Sequence, residues 1–386
     1  MLRNKKKILI VTERRADFSR FKPILSLMKK EKSLKYILVV TGIHLLKEYG
    51  KTINEIKADK FKIHSTFKMY SSTSLRTDDG AKMVGSFGIA VTKLSKILKK
   101  LKPDIILSGF DIAANFAVTV VGAHMNIPVV HIQGGEVSGT IDESIRHAMS
   151  KFAHYHLVSN MDAKNRLIKM GEKKKNIYIV GCPSIEALKN QTDINQKYFL
   201  KKLRFDINSK FIIVIQHSVT TEIKKVSFQI KETIKAIKKF GVKALFVCPN
   251  NDAGSLYIIK EIKKDKKLFY TPTLNLAEYK NLLKKCFALV GNSSSGIHEA
   301  SSFFKPVINI GTRQNGRLRS KNIIDCDYDH KIILKKLLKL NNKSYYNKLI
   351  KNLKNPYEVK STSKKIIDIL KSLKTKKNDI QKRITY

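Results

Sequence analysis

The densest set of chemistry-bearing side chains lies between His131 and His147, in the stretch HIQGGEVSGTIDESIRH. Glu136, Asp142 and Arg146 stand together there. Carboxylates beside a guanidinium are equipment for moving a proton and balancing the charge that appears as it moves. An acid and a base four apart on a helix more often make an ordinary surface salt bridge. These residues, however, follow a Gly134-Gly135 break at the end of an apolar run, Ile127, Pro128, Val129, Val130. Open α/β sheets bind their ligands at such strand exits, so the spacing points to a site.

Other stretches could hold an anion. Residues 291–296, GNSSSG, offer backbone N–H groups and hydroxyls at the start of a helix, which suits a phosphate. Ser293 and Ser294 lie in that loop, Glu299 follows on the helix where it could accept from ribose hydroxyls, and Arg313 follows the next strand. The first strand, KILIVT, runs into Glu13, Arg14, Arg15, Ala16, Asp17, Phe18 and Ser19, a basic loop fit for a phosphate or carboxylate. His217, in the exit loop QHS, reads equally well as a core histidine or an exposed imidazole. No GxGxxG, Walker loop, GxSxG or HExxH occurs, and the His and Asp spacing suits no metal site.

The elements that must position these residues alternate strand and helix. Thr140 and Glu143 have capping-box spacing, which predicts a helix from Thr140. Ile141, Ile145, Ala148 and Phe152 would form its apolar stripe, with Asp142 and Arg146 side by side on another face. Strands are expected at 7–12, 36–41, 104–107, 127–130, 155–159 and 177–180, with helices at 21–31, 82–101, 113–124 and 162–170. Residues 71–80, SSTSLRTDDG, read as a loop. A second half starts at Phe211 and rhymes with the first: NIPVVHIQGG and FKPVINIGTR are both Pro-led strands that end in a loop. The expected fold class is therefore α/β, with two Rossmann-like, doubly wound parallel-sheet domains and a cleft between them. Their bounds are 1–186 and 207–355, joined by a polar segment 187–206. Residues 356–386 form a C-terminal helix turning back at Pro356 and a basic tail.

Length and composition agree with a two-domain globular chain: 386 residues, 42% of them apolar. No apolar run approaches the ~18 residues a membrane span needs, so no membrane association is expected. Four scattered cysteines without a CxxC pair fit a reducing, cytoplasmic setting. The charge is +45. Lysines scattered over most helices, without a recognisable nucleic-acid motif, read as solvated faces, so no nucleic-acid partner is expected.

Together the motifs RADFS, GGEVSGTIDESIRHA, GCPS, QHSVTT, PNNDAGS, GNSSSG with Glu299, and PVINIGTRQNGR resemble the hydrolysing UDP-N-acetylglucosamine 2-epimerases, in family order from about Lys7 to Leu373. The resemblance implies a GT-B-like fold and a nucleotide-sugar substrate, UDP-N-acetylglucosamine or a related UDP-2-acetamido sugar such as UDP-diacetamidobacillosamine. It implies C2 proton abstraction with loss of UDP, then hydration to the free manno-configured sugar. It also implies no cofactor and a homodimer or homotetramer. Asp111, Glu136, Asp142, Arg146 and His217 become the catalytic candidates. Arg15, Ser19, His44, Gln133, Asn250, Asp252, Ser293, Ser294, Glu299 and Arg313 become the substrate-binding ones. Two departures stand out. The family's HGDR is replaced by Ser108, Gly109, Phe110 and Asp111, and Gln133 takes the place of a frequent glutamate; an amide is no base. The alternatives are a GT-B glycosyltransferase using a UDP sugar and a catalytically impaired nucleotide-sugar binder.

Overall fold

The computed structural model describes residues 5–70, 80–373 and 380–386. Its strands form two parallel sheets. The first contains β1 (Lys6–Thr12), β2 (Leu34–Val40), β3 (Ile63–Thr66), β4 (Ile105–Gly109), β5 (Val129–Ile132), β6 (Tyr155–Val158) and β7 (Ile177–Ile179), in the order β3-β2-β1-β4-β5-β6-β7. The second contains β8 (Phe211–Ile215), β9 (Lys243–Val247), β10 (Phe269–Thr271), β11 (Ala288–Gly291), β12 (Val307–Ile310) and β13 (Ile323–Cys326), in the order β10-β9-β8-β11-β12-β13. Both strand orders reverse beside the first strand of the half, between β1 and β4 and between β8 and β11. Loops from either side of that reversal open a crevice at the strands' C-terminal ends. The GT-B-like, doubly wound pair expected from the sequence is what the chain forms.

Near-continuous Ile/Val/Leu runs suit strands covered on both faces. In β1, Ile8 and Ile10 enter one core with Phe21, Ile24 and Leu25, while Leu9 and Val11 enter another with Leu94, Ala117 and Val118. In β8, Ile212 and Val214 pack with Ile230 and Ile333, and Ile213 and Ile215 with Leu282 and Leu289. Among the described residues no helix is long and apolar enough to cross a membrane.

Several elements differ from expectation. The helix expected at 21–31 is Arg15–Lys30, so RADFS is its first turn and not a loop. Asp17 makes that start possible, because its carboxylate accepts the N–H groups of Glu13 and Arg14, both at 2.9 Å. The helix after Gly135 is Ile141–Phe152 with Thr140 as N-cap, but the reciprocal box is absent: Thr140 accepts from Asp142 N, and Glu143 accepts from Ser138 N at 2.6 Å. That helix buries Arg146, Met149 and Ser150, while Ile141 is 49% exposed. It forms a wall of the cleft, where Ile141 and Ile145 of the expected stripe line the opening and Phe152 packs beside His124 instead. Residues 71–79 of the expected loop lie outside the described residues, and Gly80 already begins the helix Gly80–Leu101.

The polar segment 187–206 carries the helix Gln196–Leu203, whose Phe199 is buried with Phe205 in a core of the second sheet. The chain then returns after Pro356. Cys182 N donates to Tyr357 O at 2.8 Å, and the helix Thr362–Ser372 inserts Ile366, Ile367 and Leu370 into the first sheet's core. Lys6 Nζ caps that helix by donating to the carbonyls of Leu370 (2.9 Å) and Leu373 (2.7 Å). Residues 380–386 lie against the same half, where Lys382 Nζ sits 2.6 Å from Glu172 Oε2.

Two predictions follow from this packing. Ile366→Ala should cost about 2–4 kcal/mol in urea unfolding, as a large-to-small change at a fully buried site. Hydrogen bonds from His156 and Lys382, with Lys151 3.1 Å away, outweigh burial and hold Glu172 at about 2, below its ordinary 4.5. A depressed carboxylate adds stability that is present above pH 4.5 and lost as the pH falls toward 2. Glu172→Gln should therefore flatten the fall in urea midpoint between pH 5 and pH 3; an unchanged slope would refute the assignment.

Candidate active site

A cleft of about 580 Å³ opens between the C-terminal edges of the two sheets. Its floor turns on Glu136, which is only 5% exposed. One carboxylate oxygen accepts from Ser159 Oγ (2.6 Å) and Gln133 Nε2 (3.1 Å), both in the first half. The other faces the second half, 2.9 Å from His298 Nε2 and 3.3 Å from Arg317 Nη1. Burial alone would raise the pKa of Glu136, but His298, Arg317 and Arg146 hold it well below the usual carboxylate range. Burial keeps His298 from charging, so its tie to Glu136 is a neutral hydrogen bond and Arg317 carries the charge. The loop from Gly134 to Thr140 reaches the second half backbone to backbone: Gly139 N donates to Arg313 O at 3.0 Å. A Cβ at Gly139 would lie 2.0 Å from Thr312 O, so only glycine permits this approach.

Arg146 does not pair with Asp142, as its spacing suggested. It is buried, donates to Glu136 O at 3.0 Å, and makes its ion pair with Asp111. Asp142 instead faces Arg313 across the cleft at 3.8 Å. Helix rotation explains the change: the face that buries Arg146 turns it toward the β4 exit, leaving Asp142 on the cleft side. Asp111 and Phe110 have φ of +29° and +67°, and Gln133 has +62°. Such values are strained for side-chain-bearing residues and cluster at sites the surrounding structure over-determines. Gln133 bridges Arg20 Nη1 (3.2 Å) to Glu136.

The three carboxylates differ in environment. Despite burial, Arg146, Arg317 and Arg20 keep Asp111 low, and Glu136 is low as well. Burial and the neighbouring Asp111 push Asp142 upward, against Arg313. Carboxylates driven apart in this way can divide the labour between a fixed charge and a proton carrier.

Of the residues expected to bind substrate, Gln133, Asn250, Asp252, Ser294 and Arg313 line the cleft, with Asp111, Glu136, Asp142 and Arg146. Others stand elsewhere. Arg15 points out to Glu55 and to Thr273 Oγ1 and Leu274 O of the second half; its neighbour Arg14 lines the cleft, 3.8 Å from Asp252. Ser19 donates to Ala16 O within its own helix. His44 is a buried post between Thr12 Oγ1 (3.0 Å) and Thr52 Oγ1 (2.6 Å), lowered to about 3 by burial and Arg15. Ser293 caps the short helix Ser294–His298, and Glu299 is buried at its end without lining the cleft. His217 is also buried. Asn292 clasps its backbone, and burial, Arg313 and Arg14 hold its pKa well below 6.5, so it is a neutral imidazole behind the cleft wall.

The sequence reading missed His298, Arg317, Arg14 and Arg20 as site residues. Arg317 lay inside a quoted motif, and His298 precedes Glu299, but neither spacing shows that both meet Glu136. Glu232, Asp329 and His330 are close enough to hold a metal, but outside the cleft; His330 N and Nδ1 already engage Glu232, at 2.8 and 2.6 Å.

Residues 26–371 match the family model described as UDP-N-acetylglucosamine 2-epimerase. Among similar curated proteins, the UDP-N,N'-diacetylbacillosamine 2-epimerase (hydrolyzing) of Legionella pneumophila is 34% identical, over 88% of this chain and 89% of that protein. The UDP-N-acetylglucosamine 2-epimerase of Neisseria meningitidis serogroup B is 35% identical, over 85% of each. Among solved structures, a Neisseria meningitidis UDP-GlcNAc 2-epimerase bound to UDP-GlcNAc superposes with TM-score 0.79 at 18% identity, covering 94% of this chain and 99% of that one. A Methanocaldococcus jannaschii UDP-GlcNAc 2-epimerase in complex with UDP-GlcNAc and UDP gives TM-score 0.77 at 17% identity, with the same coverage.

Arg317→Met should cost about 3–5 kcal/mol in unfolding free energy, because it removes the arginine in direct contact with the buried Glu136 carboxylate. Adding Glu136→Gln should recover part of that loss. A double-mutant cycle with no coupling between the two would sink the tie.

Proposed function

The chain belongs to the UDP-N-acetylglucosamine 2-epimerase family, and from that premise we propose that it is a hydrolysing 2-epimerase acting on a UDP-2-acetamido sugar. The observation that carries the reading is one cleft in which carboxylates of opposed character, Asp111 and Asp142, stand among arginines from both halves, Arg14 and Arg146 from the first and Arg313 from the second. Relatives named as hydrolysing, from Legionella and Campylobacter, support the hydrolytic outcome.

In the first half-reaction, a base takes the proton from C2 of the sugar while the bond from C1 to the UDP oxygen breaks. A 2-acetamidoglucal with a C1–C2 double bond remains. Asp142 is the proton carrier, since it is the carboxylate whose pKa is raised. Asp111, locked to Arg146, stays ionised and sets the field at the reacting carbons. Arg14 and Arg313 face the departing diphosphate, where negative charge grows as the bond breaks. The N-terminus of the helix at Ser294 adds backbone donors to the same edge. In the second half-reaction, water supplies hydroxyl to C1 and a proton returns to C2 on the opposite face. The free manno-configured sugar and UDP result. Gln133 takes no proton in this scheme; it fixes the Glu136 carboxylate by a hydrogen bond.

The test is NMR of the protein with UDP-N-acetylglucosamine, then with a UDP-2,4-diacetamido sugar, in D2O. Free UDP and a manno sugar deuterated at C2 are expected from one of them, and both substrates surviving would sink the reading. Asp142→Asn should lower turnover by about 10²–10⁴ while UDP still binds. Because the Asp142 pKa is raised, the acid limb of the rate profile should lie above an aspartate's ordinary 3.8.

A further inference from the structure

We propose that residues 380–386 clamp the helix Ile141–Phe152, making Lys382 a positioning residue for Asp142 and Arg146; the catalytic half of this inference rests on the epimerase reading. Lys382 Nζ donates to the carbonyls of Ser150 and Lys151, both at 2.9 Å, and is paired with Glu172 Oε2 at 2.6 Å. The carbonyls belong to the last turn of the helix, which has no intrahelical donors for them and carries the negative end of the helix dipole. One ammonium therefore satisfies two orphan acceptors and is neutralised by a carboxylate in the turn between the helix Met161–Lys169 and β7. Glu172 is itself anchored by His156 Nε2 at 3.0 Å.

A second tie holds the same segment. Val129 N donates to His154 Nδ1 at 3.0 Å, so the ring carries its proton on Nε2 and donates it to Ile380 O, also at 3.0 Å. Val129 opens β5, the strand that leads to Gln133 and Glu136. The segment thus joins the start of the strand and the end of the helix that together carry the site. Gly171 leaves room for it: a Cβ there would meet Tyr386 at 2.8 Å and Ile384 at 3.0 Å.

The clamped turn connects directly to the reacting end. Ser150 Oγ donates to Arg146 O at 3.0 Å, spending its one proton, so His131 Nδ1 at 3.1 Å presents its own hydrogen to Ser150 Oγ. A Cβ at Gly134 would lie 2.8 Å from both His131 Nδ1 and Ser150 Oγ, so the helix is pressed against the loop that carries Glu136. Releasing Lys382 lets the helix shift along its axis, and Arg146 and Asp142 shift with it. A misplacement of about 1 Å at reacting groups can cost ~10²-fold in rate.

The experiment compares Lys382→Ala, Lys382→Arg and Arg383→Ala in the full chain, the last being an exposed neighbour. Hydrogen exchange of the 141–153 amides is measured without substrate, together with kcat, KM and melting temperature. Lys382→Ala should speed exchange in the last helical turn about tenfold or more. Its kcat should fall about tenfold with KM within twofold. Lys382→Arg should restore most of both, and Arg383→Ala should match the unaltered protein. Unchanged exchange and kcat in Lys382→Ala would overturn the clamp. So would faster exchange throughout the first half with a lowered melting temperature, which marks a merely structural anchor. Should the unaltered protein release no UDP, the epimerase reading fails, and the exchange measurement alone decides the clamp.

Discussion

A single buried carboxylate holds the molecule's two halves in working relation. Glu136 gives one oxygen to Ser159 and Gln133 and the other to His298 and Arg317, so either half alone would leave it half-solvated in a low-dielectric interior. That penalty is the reason the loop bearing it must cross the gap, and the crossing demands Gly139. Gly134 and Gly135 release the chain from β5 in the required direction, and the helix that follows presents Asp142 to the cleft. Remove the carboxylate, and Gln133, His298 and Arg317 lose the partner they share across the cleft floor.

How charge is distributed around that point separates scaffold from chemistry. Glu136 and Asp111 are each held by arginines and stay ionised, whereas burial and the neighbouring Asp111 push Asp142 upward against Arg313 and Arg146. Three acids within one short region of chain thus have different protonation behaviour, although nothing in their residue types distinguishes them. Environment makes the assignment.

Much of the architecture was legible beforehand, because long apolar runs with Gly-bearing exits mean buried parallel strands. Helix 113–124 and the strands at 7–12 and 211–215 are visible in that pattern. The edge strands β3, β10 and β13 were not, being three or four residues long and only partly buried, with too few positions to show a period. Helices such as Ser255–Lys264 and His330–Leu340 hid behind the lysine-rich composition, which blurs the boundary between a solvated helix face and a loop. At the site, motifs located the loops but not the directions of side chains. Consecutive Arg14 and Arg15 diverge, one to the cleft and one to the outer rim, because the first is extended and the second helical. Asp142 and Arg146 share a helix yet find partners on different walls. His44 and His217 sit in strand exits but point inward, to two threonine hydroxyls in one case and to the backbone N–H of Asn250 behind the cleft wall in the other. Such outcomes depend on tertiary contacts, some of them with the other half of the chain, which local spacing does not encode.

The two loose bridges across the cleft, Arg14 to Asp252 and Arg313 to Asp142, have a consequence for selectivity. Each arginine meets a carboxylate at 3.8 Å, closer to a loose association than a hydrogen-bonded pair. An entering anion must therefore outbid these acids. A ligand with one negative charge only exchanges one partner for another and gains little. A sugar diphosphate, with two charges, matches the two acids it displaces and can engage both arginines at once, so the resting bridges discriminate against singly charged ligands. With the anion gone, both cations fall back to Asp252 and Asp142, so the empty cleft keeps its charges paired across the gap.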